Sequence, residues 1–153
     1  MVEVVTEVKA PASLCFDLSR DIDLHVMSMV GTGERAVAGR TSGLIELGEE
    51  VTWEAMHLGV RQRFTSRITE FDRPRHFRDE MIRGAFQSFV HDHHFEEHDG
   101  GTTMRDVVRF ASPFGFVGRL VDSAFMAGYL RRLLGDRGAA VRKVAEHEGD
   151  EPA

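Results

Sequence analysis

Several things are scarce in this sequence. Its 153 residues hold one cysteine, one tryptophan, one tyrosine and four prolines. A single thiol, Cys15, excludes an internal disulfide and with it the disulfide-stapled secreted scaffolds. It lies in an apolar run and reads as a core residue rather than an activated nucleophile. No run approaches the ~18 apolar residues of a membrane span, so no integral membrane segment is expected. Glu3 and Glu7 stand where a signal peptide would be basic, and a cytoplasmic location is the expectation. Nineteen Lys and Arg against twenty-five Asp and Glu leave a net charge of −6, which argues against a nucleic-acid partner. Gly-x-Ser-x-Gly elbows and phosphate-cradling glycine loops are missing too.

Histidine and phenylalanine are plentiful, with eight and eleven copies. Protonating every histidine would move the net charge from −6 to +2, so histidine is the open question in the charge balance. His91, His93, His94 and His98 crowd into eight consecutive residues.

The order of elements follows from periodicity. Residues 2–9 alternate as a strand, with Val2, Val4, Thr6 and Val8 on one face. Pro11 and Ser13 suit the start of a short helix, and a second short helix follows over 23–29 with Asp21 or Asp23 as its cap. Strands are then expected over 34–38, 49–57, 60–72, 76–83, 86–98 and 102–112, with a tight turn at Asp99-Gly100-Gly101. Leu58-Gly59 is read as a turn, and Pro113 as the end of the last strand. Beyond it the period becomes helical: Val117, Leu120, Val121, Ala124, Phe125, Gly128, Tyr129, Leu133, Leu134, Val141 and Val144. Gly135 and Gly138 weaken its middle and would allow a kink. The result is an α+β protein, β-α-α-β6-α, with about seven antiparallel strands curved around a long C-terminal helix. One domain is expected over 1–146, followed by a flexible acidic tail over 147–153.

Particular runs carry a family likeness across nearly the whole chain. They are Lys9-Ala10-Pro11-Ala12-Ser13-Leu14-Cys15-Phe16-Asp17-Leu18, Thr52-Trp53-Glu54-Ala55, His57-Leu58-Gly59, and Ile68-Thr69-Glu70-Phe71-Asp72-Arg73-Pro74. Gly84-Ala85-Phe86, Phe89-Val90-His91-Asp92-His93-His94-Phe95, Gly100-Gly101-Thr102-Thr103-Met104-Arg105-Asp106 and Ser112-Pro113-Phe114-Gly115 complete them. With these runs the chain resembles the START-like, Bet v 1-like superfamily of polyketide cyclase/dehydrase and lipid-transport type, with its helix-grip fold. The resemblance implies a hydrophobic cavity between sheet and long helix, closed by the two short helices and the glycine-containing loop. It implies a lipid- or polyketide-like ligand, and in some members cyclase or dehydratase chemistry.

Strand parity selects the interior residues. Phe89, His91, His93 and Phe95 share one face, flanking two histidines with two phenylalanines. Phe77, Asp79, Met81 and Arg83 share another, as do Met104, Asp106, Val108 and Phe110, and Gln62, Phe64, Ser66 and Ile68. If these faces turn inward, ligand contacts are expected from Trp53, Gln62, Phe64, Phe77, Met81, Phe89, His91, His93, Phe95, Val108, Phe125 and Tyr129. His91 or His93 with Asp79 or Asp106 is then the candidate acid–base pair; the competing reading is a structural Asp–His hydrogen bond. The other six histidines read mostly as surface or turn residues, with His25 and Met29 near the pocket mouth. His91-x-His93-x3-Glu97 has the spacing of a cupin metal site, yet no histidine falls between Arg105 and Arg142 to complete the ligand set, His147 in the tail being the one left, and a long C-terminal helix does not suit a jelly roll. No metal and no cofactor are expected. Three functions remain: a ligand binder, monomeric or weakly self-associating; a cyclase or dehydratase; and a noncatalytic regulatory or assembly protein.

Overall fold

The computed structural model describes residues 1–57, 59–111 and 125–150. Its order is β1 (Val2–Val8), α1 (Ala12–Ser19), α2 (Ile22–Ser28), β2 (Arg35–Gly39), β3 (Glu50–His57), β4 (Val60–Asp72), β5 (His76–Arg83), β6 (Ser88–His98), β7 (Gly101–Ala111) and α3 (Ala127–Asp150). One antiparallel sheet runs β1-β7-β6-β5-β4-β3-β2. This is the helix-grip order expected from the sequence, and β4 and β5 fall on the expected residues. The turn at Leu58, the strand end at Pro113 and the start of the helical pattern (Val117, Leu120, Val121, Ala124) lie outside the described residues.

Local chemistry sets the element ends. The Asp21 carboxylate caps α2 by accepting from the Asp23 and Leu24 amides. His98 pairs with Gly101 across a two-residue turn in which Asp99 and Gly100 both have positive φ, the geometry that matches strand twist. Register shifts between Ala36 and Ala38, between Thr65 and Ser66, and between Ile68 and Glu70 add twist and help curl the sheet toward α3.

α1, α2 and α3 close the concave face. At one end Phe16 of α1 is fully buried against Phe71, Phe77 and Phe95, ring centroids 5.1 to 5.3 Å apart. At the other, Val2 and Val108 pack with Leu130 and Leu134 of α3. Gly138 explains how closely α3 approaches β1: a Cβ there would stand 2.5 Å from Thr6 Oγ1.

Helix α3 departs from expectation in extent, and at Phe125 and Gly128 in the face it buries. Its buried stripe is Leu130, Leu134, Gly138, Val141 and Ala145, whereas Phe125 is 54% exposed. Leu134 and Val141 lie in this stripe as expected, with Tyr129, Leu133 and Val144 half-buried beside it. The helix also runs to Asp150, so residues 147–150 are helical where a tail was expected. Among the described residues no helix is long and apolar enough to cross a membrane.

Candidate functional site

Between the sheet and α3 lies a cavity of about 180 Å³. Its walls are Phe64 of β4, Phe89 of β6, Phe86 of the β5–β6 connection, and Leu130, Leu133 and Leu134 of α3. Phe89 meets both Phe64 and Phe86 at 5.2 Å between ring centroids. Six of the expected contacts line this space together: Trp53, Gln62, Phe64, Phe89, His91 and Tyr129. The other six do not. Phe77 and Phe95 are sealed beneath Phe16, because α1 covers that end of the sheet. Val108 packs between Val2 and α3, and Phe125 points to solvent. Met81 is half-buried, its sulfur filling the space beside Gly84. His93 lies behind His91, stacked on it at 3.7 Å and on Phe77 at 4.0 Å.

His91 and His93 form a buried four-membered set with Asp79 and Asp106. His91 Nε2 lies 2.8 Å from Asp106 Oδ1, and His93 Nε2 lies 2.7 Å from Asp79 Oδ2. His93 Nδ1 sits 3.2 Å from Asp106, and His91 Nδ1 3.8 Å from Asp79. Burial works against both carboxylates, yet the two histidines outweigh it. Asp106 and Asp79 stay well below the usual carboxylate range, Asp79 with added help from Arg137. Burial also opposes charge on His93, but hydrogen bonds to Asp106 and Asp79 raise its pKa above the ordinary imidazole value. Burial and the neighbouring His93 charge push His91 down. The consistent assignment is an imidazolium at His93 clamped between two carboxylates, with a neutral His91 donating Nε2–H to Asp106.

Asp79, His91 and His93 each bring one ligand atom within 4.8 Å of the others. Their rings are stacked only 26° from parallel, so the in-plane lone pairs run side by side instead of meeting at one ion. Glu97, the third member of the cupin-like spacing, accepts the Ala12 amide at 2.9 Å and caps α1 from outside the set. The arrangement suits shared protons better than chelation.

Other polar groups on the cavity wall come from histidines read as surface, turn or pocket-mouth residues. His25 of α2 lies flat on Trp53, centroids 4.1 Å apart, with Nε2 2.5 Å from Glu34 Oε1. Burial and the charge of Arg137 push the His25 pKa down. Burial would raise Glu34, but its bond to His25 and the nearby cation hold it below the ordinary value. A carboxylate at Glu34 therefore accepts Nε2–H of a neutral His25. Across the cavity His57 Nδ1 lies 2.7 Å from the Tyr129 hydroxyl. Burial and the Glu34 charge raise the Tyr129 pKa, keeping it a phenol. Met29 lines the cavity as expected of a mouth residue, and Arg137 reaches it while donating to the Ser19 carbonyl at 2.7 Å. Glu34 sits just before β2 and His57 at the end of β3, where alternation carries little information. Parity of β3 from Val51 through Trp53 and Ala55, all buried, was the one signal that could have turned His57 inward.

Comparison with known proteins fits this geometry. A Thermus thermophilus protein superposes with TM-score 0.73 at 17% identity, covering 94% of this chain and 98% of its own. A START superfamily protein from Mycobacterium smegmatis gives 0.70 at 14% identity, over 95% and 97%. Ginseng major latex-like protein 151 from Panax ginseng gives 0.69 at 13%, over 94% and 95%. At these identities the likeness speaks for the fold. Among curated proteins no sequence relative matches the chain. The family model described as polyketide cyclase / dehydrase and lipid transport matches residues 1–146, and the chain belongs to that family.

Proposed function

We propose that residues 1–146 act as one ligand-binding domain that takes a hydrophobic or amphipathic small molecule into the cavity between the sheet and α3. The observation that carries this reading is the cavity itself, walled by three phenylalanines and three leucines and provided with a few polar groups. Apolar walls supply affinity at about 25 cal/mol per Å² removed from water. Gln62, His91 and the Tyr129–His57 pair supply direction, since a ligand polar group entering this space needs a partner.

The test is a titration of the delipidated protein with an environment-sensitive anilinonaphthalene dye, competed by fatty acids and by fused-ring aromatic ketones, with native mass spectrometry for stoichiometry. Saturable one-to-one binding with displacement is expected. No saturable uptake of any apolar probe would overturn the reading.

A further inference from the structure

Three polar side chains on the outer face of the sheet play no part in the cavity. His76 of β5 stands directly opposite His94 of β6, and Asp92 lies two residues before His94 on the same face. We propose that His76, Asp92 and His94 form a binding site for a divalent transition-metal ion, zinc above all. The ion clips β5 to β6 on the side of the sheet away from the cavity.

One ligand atom from each of the three lies within 4.8 Å of the other two. Ligand atoms about 2.0–2.1 Å from one tetrahedral ion stand about 3.3 Å apart, so a small closing movement is enough. His76 Nε2–H donates to Asp92 Oδ1 at 2.7 Å, and the ion takes the place of this proton. The proton passes to His76 Nδ1, which faces Glu70 Oε2 at 3.7 Å. A carboxylate behind the second nitrogen of a ligating histidine fixes its tautomer and makes it a stronger ligand. Arg78 steadies both carboxylates, donating to Asp92 at 2.8 and 3.3 Å and to Glu70 at 3.0 Å. Arg109 adds a bond to Asp92 at 3.1 Å. Glu70 is thus a positioning residue, and the other three are the ligands.

His94 supplies the freedom that the inner His91–His93 set lacks. The His76 and His94 rings are stacked 29° from parallel at 4.8 Å, so one must turn before their lone pairs converge. His94 is half-buried and makes no side-chain hydrogen bond or ion pair among the described residues, so the stack alone holds its ring. His91 and His93 are buried and tied to Asp79 and Asp106, and have no such room.

Charge decides which ion fits. Asp92 and Glu70 are balanced by Arg78 and Arg109, and Arg105 opposite His94 adds a further cation. Without net negative charge the site offers little to Mg²⁺ or Ca²⁺, which need several oxygen ligands. Two imidazoles favour Zn²⁺, Ni²⁺ and Cu²⁺ instead, with water completing the coordination.

The experiment takes the untagged full chain, freed of metal with EDTA, and titrates it with zinc chloride at pH 7.5 by calorimetry. One saturable zinc per chain is expected, with a rise in Tm at saturation. His76→Ala and His94→Ala should each lower zinc affinity about 100-fold or more and remove that rise, with the metal-free Tm near wild type. Glu70→Gln should lower affinity about 10-fold and leave the metal-free Tm unchanged, which a merely structural role would not do. Copper added to the wild type should broaden the amide NMR signals around His76 and His94 before any others, a readout that needs no variant to fold. No saturable zinc binding, equal affinity for magnesium, wild-type affinity in either histidine variant, or broadening centred on the His147 end of α3 would each overturn the site.

Discussion

At the scale of single residues, buried charge makes this protein sensitive to pH. Asp92, on the outer face of the sheet, is only 3% exposed and accepts from Arg78, Arg109 and His76. Burial alone would raise its pKa; Arg78 and His76 outweigh this and bring it from 3.8 to about 2. A depressed carboxylate stabilises the fold above its unfolded value and loses that contribution as pH falls through the folded one. Asp92→Asn is therefore expected to cost about 2 kcal/mol at pH 7 in urea denaturation. The gap between variant and wild type should close between pH 4 and pH 2, and a gap constant with pH would contradict the assignment. His93 works in the opposite direction. Its folded pKa lies above the ordinary 6.5, so its stabilising share is complete below that value and fades as pH rises through the folded pKa. Asp106→Ala leaves His93 and His91 without their shared acceptor in a buried place, at a cost of about 3–5 kcal/mol. A fall in denaturation midpoint worth less than 1 kcal/mol would show that water, not Asp106, satisfies these histidines.

At the scale of elements, two glycines in α3 that look alike in the sequence have different jobs. Gly135 has nothing within 4 Å of where a Cβ would stand, so Gly135→Ala should stabilise by up to about 1 kcal/mol through helix propensity. Gly138 faces Thr6 Oγ1 at 2.5 Å, and Gly138→Ala should destabilise by about 1–3 kcal/mol, as overpacking does. Adding Thr6→Ala should recover most of that loss, because it removes the atom in the way. Chemical denaturation of the two singles and the double measures this directly, and additivity would refute the contact.

The same elements show what a linear reading can reach. Strands β4 through β7 were legible because one sheet face meets the core, which sets Gln62, Phe64, Ser66 and Ile68, and Phe89, His91, His93 and Phe95, at alternate positions, even though Thr65 and Asp92 of the other face are buried too. The His91–Asp106 and His93–Asp79 contacts were foreseen as a pairing of faces, since parity alone puts the four on one side. Which histidine touches the cavity was not legible. That depends on where α1 stops covering the sheet: Phe16 seals Phe77, Phe95 and, through the stack, His93, and leaves His91 open. His57 and Tyr129 are 72 positions apart on a strand end and a helix start, and no periodicity links them.

For the whole molecule, the question is how an interior space coexists with a stable fold. The apolar core is split into a sealed cluster around Phe16 and a smaller one around Val108 and Leu130, and the cavity adjoins the second. The cavity therefore removes packing from one end of the molecule while Phe16 holds the other, and a ligand restores contacts where they are thinnest. A bound ligand should then stabilise by mass action, about 2.7 kcal/mol at a free concentration one hundred times Kd. Ala85 separates this effect from general surface binding. It lies on the cavity wall yet is exposed, in the connection between β5 and β6. An indole at this place should fill the mouth without entering the core, so Ala85→Trp should change the Tm of the free protein little. The ligand-induced rise in Tm and the dye titration should both disappear together in this variant. A retained rise would mean that the ligand enters elsewhere or binds outside the cavity. A Tm of the free variant lowered as far as by a core truncation would mean that the β5–β6 connection is packed more tightly than its exposure indicates.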